Sequence, residues 1–173
     1  MMATVAVVMG GFPKANLPAR PQAELAVISL SPSKDNTLYE DATGSTSNGA
    51  GSNTFAGSIN TGPVRRAVLA FEIAGNIPAG STINSAALTL HMSRTVAGDE
   101  TVNLHRLLAD WGEGTSNADA QEGQGAPATT GDATWLHTFF NSSLWASAGG
   151  DFVASSNVLL PSGFQSTPQP LEQ

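Results

Sequence analysis

The chain has 173 residues, 40% of them apolar and 12% charged, which is enough for one ordinary domain with its own core and short for two. Fourteen acidic residues against seven basic ones leave a formal charge of -7, which argues against an extended surface for nucleic acid or an anionic membrane. There is no cysteine, so a disulfide framework, a thiolate nucleophile and a thiolate metal site are all excluded.

Residues 1–25 open with an apolar stretch, Ala3 to Met9, that is too short to span a bilayer and has no Lys or Arg ahead of it. With Pro13, Pro18 and Pro21 opposing regular structure, this segment is expected to be a flexible leader or the remnant of an export signal. From Ala26 short apolar runs alternate with Gly, Ser, Asn and Thr, and no long helical period survives. One all-β domain is therefore expected over 26–160, with a disordered tail over 161–173. The expected strands are Ala26 to Leu30, Thr37 to Glu40, Asn53 to Ile59, Ala67 to Ile73, Ala86 to Ser93, Thr101 to Leu108, Thr134 to Phe140, and a weaker one near Phe152 to Leu160.

In AALTLHMS, Leu88, Leu90 and Met92 share one strand face, and His91 lies on the other with Ala87 and Thr89. A hairpin turning at Gly98 would set Leu90 opposite Arg106 and His91 opposite His105. Such a histidine pair could hold zinc only with a third ligand from elsewhere, and surface histidines hydrogen-bonded to Asn103 are the plainer reading. In this register Arg106 falls on the more apolar face and needs a carboxylate, from Asp110 or Glu72.

The runs KDNTLYEDATGSTSNGAGSNTFAG, RRAVLAFEIAGNIPAGSTINSAALTLHMSRT, VNLHRLLADWGEGTS, GDATWLH and GGDF resemble the DNRLRE-type domain of secreted and cell-surface prokaryotic proteins, over roughly Ser31 to Phe152. The resemblance implies a jelly-roll-like antiparallel β-sandwich, an extracellular or cell-surface location, and a place beside the carbohydrate-binding modules of polysaccharide-degrading proteins. Some relatives are associated with acidic polysaccharides such as alginate. The family's name motif is not in this chain. Family members continue past GGDF for several more strands, whereas this chain runs on to VLLPSGFQSTPQPLEQ, so the sandwich is expected to be incomplete at its C-terminus. Unpaired edge strands would then invite self-association.

HRLLADWGEGTS, residues 105–116, carries the residue types of an active site. An enzyme of the lyase or hydrolase class would use Asp110 and Glu113 as a carboxylate pair, or His105 as a base. Glycoside cleavage needs two groups at a set separation across the substrate, which a spacing of three residues in a glycine-flanked turn does not establish. The chain has no GxSxG, HExxH or GxxxxGK[ST] motif, and the expectation is that it is not an enzyme. The structural alternative has Trp111 folding back over the core while Gly112 and Gly114 permit the turn.

The loop after Trp111 offers Glu113, Asn117, Asp119, Glu122 and Asp132 as hard oxygen ligands. Calcium is the one cofactor these suggest, with Glu113, Asp119 and Asp132 as candidate ligands, although the spacing is not that of an EF-hand. Sugar binding needs aromatic faces and planar polar groups, and the candidates are Tyr39, Trp111, Arg65, Arg66, His91, Arg94 and His105. Trp135 and Trp145 are further aromatic surfaces, Trp135 being equally suited to the interior beside Phe139. An arginine fork would suit an acidic glycan. The favoured expectation is a noncatalytic extracellular module that recognises a polysaccharide or mediates attachment. The alternatives are an adhesive sandwich that binds protein or itself, and the enzyme.

Overall fold

The computed structural model describes residues 3–8, 26–59, 62–95, 102–155 and 158–159. The chain is all-β and sandwich-like, made of small antiparallel sheets. In chain order the strands are β1 (Ala3–Val8), β2 (Val27–Leu30), β3 (Lys34–Tyr39), β4 (Thr46–Ser47), β5 (Gly57–Ser58), β6 (Val64–Ala70), β7 (Ser85–Leu90) and β8 (Asn103–Leu104). After a 3-10 helix at Asp119–Gln124 come β9 (Ala126–Pro127), β10 (His137–Phe139), β11 (Ser143–Leu144) and β12 (Val158–Leu159). Two compact units form, a smaller one from Met2–Ser33 with Ala70–His91, and a larger one from Lys34–Leu69 with Met92 onward.

The smaller unit is a three-stranded sheet in the order β2-β1-β7. Its central strand comes from the segment expected to be a leader: Val5 pairs with Leu30 on one side and with Leu88 on the other. A six-residue apolar run carries the β-branched content of a strand, and two flanking strands supply its ladder partners. The rest of the expected leader and the expected tail lie outside the described residues. In β7, half-buried Leu88 and Leu90 alternate with exposed Ala87 and Thr89, the period of two read from the sequence.

The expected hairpin of β7 with the strand after Gly98 does not form. β7 pairs with β1, and β8 pairs with β12 through Asn103↔Leu159 and Leu104↔Val158. His91 therefore belongs to the smaller unit and His105 to the larger, and the two are not cross-strand partners. Arg106 is exposed and needs no buried carboxylate; Asp110 bonds to Lys34, and Glu72 accepts from the Gly75 amide. β1, from the segment expected to be a leader, takes the edge of β7 that the hairpin would have used.

In the larger unit β6 lies between β3 and β5. β3 is buried over four consecutive residues, Asn36 to Tyr39, so both of its faces are covered. The apolar core gathers Leu38, Tyr39, Val68, Trp111, Trp135 and Trp145. Trp135 is inside, but Phe139 is only half-buried and the expected strand shrinks to His137–Phe139, so a clean inside-outside alternation is not kept. The expected strand at Asn53 to Ile59 likewise shortens to Gly57–Ser58.

Much of this interior is polar. Asn36, Thr37, Ser47, Asn48, Ser116, Asp132 and Thr134 are buried, and among the described residues no buried side-chain polar atom lacks a hydrogen-bond partner. That satisfaction is what makes a polar interior tolerable, since an orphaned buried donor or acceptor costs about 1–3 kcal/mol.

The turn between β3 and β4 is held by Asp41, which accepts from the amides of Thr43, Gly44 and Ser45. Partial burial alone would raise its pKa, but the hydrogen bond from the Thr43 hydroxyl and those from neighbouring groups outweigh it and hold the carboxyl at about 2. A depressed pKa means that the native state favours the ionised form. The stability contributed by this turn should therefore be complete above the ordinary value near 3.8 and be lost as pH falls through about 2. Unfolding midpoints measured from pH 5 to 1.5 should fall less steeply in an Asp41→Asn variant; identical slopes would remove Asp41 as a contributor.

Candidate functional site

Arg65 and Arg66 are neighbours on β6, so the pleat sends them to opposite faces. Arg65 lies with its guanidinium carbon 4.8 Å from the centre of the Tyr39 ring and donates from Nε to the Gly123 carbonyl at 3.4 Å. Tyr39 is only 1% exposed and its hydroxyl donates to the Glu122 carbonyl, so this ring packs the interior and offers no platform to a sugar. Burial pushes its phenol up to about 12.

Arg66 is placed differently. Its guanidinium carbon sits 4.8 Å from the centre of the Trp135 ring and 5.0 Å from that of Phe152, and Nη1 donates to the Gly149 carbonyl at 2.6 Å. The backbone approaches this closely only because residue 149 is glycine. Its φ is +87°, and a Cβ there would stand 2.5 Å from Arg66 Nη1 and 2.8 Å from Trp135 Cζ2.

Around Arg66 opens a shallow depression of about 370 Å³, lined also by Leu108, Ser147, Asp151 and Phe152. Asp151 shapes its wall: one carboxylate oxygen accepts from the Ala146 amide and the other from the Ser147 amide, both at 2.8 Å. Leu108 enters the lining from the segment at 105–108, which is tied to 151–153 by a Leu107↔Phe152 bridge and by hydrogen bonds from the Leu108 amide to the Asp151 carbonyl and from the Val153 amide to the Arg106 carbonyl. His105 is carried along by this pairing. Its ring lies 5.1 Å from Phe152, and Nδ1 is 2.8 Å from the Val153 carbonyl.

Of the candidate sugar-binding residues, then, Arg66 and His105 are brought together around Phe152. Arg65 and Tyr39 pair on the other face of β6, while His91 and Arg94 are exposed outside this cluster. Trp111 is 3% exposed and packs under Lys34, whose Nζ is 4.9 Å from its ring centre. Lys34 also donates to the Trp111 carbonyl and to Asp110 Oδ1, at 2.5 and 2.6 Å. The Lys34 hydrogen bond holds the Asp110 carboxyl below the usual range. Because Asp110 is 78% exposed, the pair contributes little to stability.

Glu113, the other half of the carboxylate pair considered for catalysis, accepts from the Asp35 amide at 3.0 Å. Burial and the nearby Glu113 raise the pKa of Asp35. Asp132 is fully buried and accepts from the Thr115, Ser116 and Thr129 amides. Asp119 stands apart at the start of the 3-10 helix with φ of +46°. The three candidate calcium ligands are not gathered into one site, and among the described residues no three His, Asp or Glu side chains group in a way that could hold a metal.

Sequence reasoning missed Phe152, Gly149 and Asp151 as parts of the Arg66 site. The signal was present in GGDF, where two glycines precede an acid and an aromatic, but its partner lies 83 residues away along the chain. The chain matches no protein-family model, no curated protein and no solved structure.

Proposed function

We propose that this chain is a noncatalytic extracellular module that recognises a polysaccharide, with the depression at Arg66 as its contact point. The observation that carries the reading is the arrangement of Phe152 and Leu108 as apolar surface beside Arg66 and Ser147 as hydrogen-bonding groups, all lining one open concavity. Pyranose rings present CH-rich faces and polar edges together, and such mixed concavities complement both. The resemblance to DNRLRE-type domains points to the same role and to a cell-surface or secreted setting. Against catalysis, Asp110 and Glu113 each bond to protein groups, and neither lines the depression.

Electrophoresis through native gels containing neutral or acidic polysaccharides tests this, together with an assay for reducing and unsaturated ends. Retardation in at least one gel with no new ends is the expected result. Retardation in none, accompanied by concentration-dependent self-association, would replace this reading with the adhesive one, and release of ends would replace it with the enzyme.

A further inference from the structure

We propose that Asn141 is an acceptor for an N-linked glycan. The inference rests on the extracellular setting proposed above and not on the Arg66 depression, which residues 139–144 do not line. Asn141-Ser142-Ser143 is the one place in the sequence where Asn is followed two positions on by Ser or Thr with no proline between. Such a tripeptide arises easily by chance in a Ser-rich chain. Its place in the fold is what distinguishes this one.

Asn141 stands at the tip of the β10–β11 hairpin, where Phe139 pairs with Ser143 and the Ser142 amide donates to the Phe139 carbonyl at 2.9 Å. The turn is anchored from one side: the Phe140 amide donates to the Asp132 carbonyl at 2.7 Å, and the Phe140 carbonyl accepts from the Gly131 amide at 3.1 Å. Beyond this anchor Asn141 takes φ of +63°, a left-handed conformation that Asn tolerates better than most residues. Asn141, Ser142 and Ser143 are all exposed, and among the described residues Asn141 Nδ2 donates in one long bond, 3.4 Å to Thr130 Oγ1. An oligosaccharide on that nitrogen displaces a weak surface bond and no buried group. The surroundings suit a sugar as well. Leu144 is 66% exposed, and Phe139 and Phe140 are half-buried on the same hairpin. A hexosamine held at the turn brings CH-rich faces to apolar side chains that otherwise meet water.

In the transfer, a bond forms between Nδ2 and C1 of the first sugar of a polyprenyl-pyrophosphate oligosaccharide. The bond from C1 to the pyrophosphate oxygen breaks, and the proton lost by the nitrogen passes to the transferase and on to water. Ser143 supplies the hydroxyl by which the acceptor is selected. In the folded chain that hydroxyl is paired with Thr138 Oγ1 at 2.5 Å, so transfer precedes closure of the hairpin, and the fold has only to carry the product.

The test translates the full chain behind a cleavable export signal with sealed endoplasmic-reticulum microsomes, which hold the transferase and the lipid-linked donor. One glycan is expected, seen as a single gel shift that peptide-N-glycosidase removes, with peptide mapping placing it on Asn141. Asn141→Gln and Ser143→Ala should each abolish the shift, Ser142→Ala should keep it, and Ser143→Thr should match or exceed the wild-type occupancy. The denaturing gel reads occupancy whether or not a variant folds. The glycosylated chain should unfold no lower in temperature than the same chain after enzymatic removal, and it should bind less of a dye that reports exposed apolar surface.

No shift while a control acceptor is modified, a shift that survives Asn141→Gln, or a glycan that lowers the unfolding temperature overturns the assignment. A chain modified at Asn141 that no polysaccharide gel retards, with or without its glycan, supports the acceptor site and removes the polysaccharide reading.

Discussion

Replacing Asp132 with alanine is expected to lower the unfolding free energy by about 3–5 kcal/mol, because three amide donors lose a carboxylate acceptor and hydrogen bonds to charged groups contribute about 1.5–3 kcal/mol each without adding in full. Asp132 is fully buried, and its Oδ1 accepts from the Thr115 amide at 2.8 Å and the Ser116 amide at 3.4 Å, while Oδ2 accepts from the Thr129 amide at 2.6 Å. Deleting the carboxylate strands these donors where water has little access, and the cost spreads. Ser116 in turn accepts the Gly49 amide on its hydroxyl and the Ala50 amide on its carbonyl, so one side chain fixes a loop that fixes another. Gly114 records how close the approach is: at φ of +75°, a Cβ there would lie 1.4 Å from Asp132 Oδ1. Asp132→Asn keeps the shape but must set an NH2 against at least one amide donor, so it should fall between wild type and alanine. Urea unfolding of the three proteins decides the matter, and a loss below about 1 kcal/mol for alanine would show that water replaces the carboxylate.

The same residue shows why only part of the molecule was legible in its sequence. Strand character was readable in β7, where apolar and polar residues alternate, because side-chain period follows directly from backbone geometry, whereas the alternating stretch at 101–108 keeps only Asn103–Leu104 as strand. Strand partners were not readable, because pairing depends on which distant segment arrives, and β1 took the edge that a local hairpin would have used. Acidic residues in a glycine-rich loop read as solvated groups or cation ligands. Asp132 is neither, since its oxygens meet amides supplied by residues 115, 116 and 129. Composition carries no mark that separates an anion facing water from one facing inward N–H groups.

The Arg65–Arg66 pair shows the complementary case. Alternation along β6 separates two adjacent cations onto different faces, and that much follows from the strand itself. Which of them meets the site is decided by partners far along the chain: Gly123 and Tyr39 for Arg65, Gly149 and Phe152 for Arg66. The stretch at 105–116 resolves in the same way. His105 packs against Phe152, Asp110 and Trp111 meet Lys34, and Glu113 meets the Asp35 amide, so residue types that looked like one catalytic set serve three separate contacts.

Asn36 carries the second large expected effect. It is fully buried in β3, where its Nδ2 donates to the Ser47 hydroxyl at 2.9 Å and the Glu113 carbonyl at 2.8 Å. Its Oδ1 accepts from the Thr37 amide at 2.7 Å and the Asn48 amide at 3.2 Å. One amide side chain therefore ties β3 to β4 and to the loop that follows Trp111, using donor and acceptor at once. Asn36→Ala should cost about 2–4 kcal/mol, since partners on both sides are left with desolvated groups unmet. Asn36→Asp is the sharper test. It preserves volume and both acceptor bonds but turns the donor into an oxygen aimed at the Glu113 carbonyl, and it buries a charge. A side chain that merely fills space would tolerate aspartate better than alanine. A directional network predicts the reverse at neutral pH, with the aspartate variant recovering as its carboxyl is protonated and can donate again. Parallel denaturation of both variants at pH 7 and pH 4.5 separates the two, and an aspartate variant as stable as wild type at pH 7 would remove Asn36 as the junction of these strands.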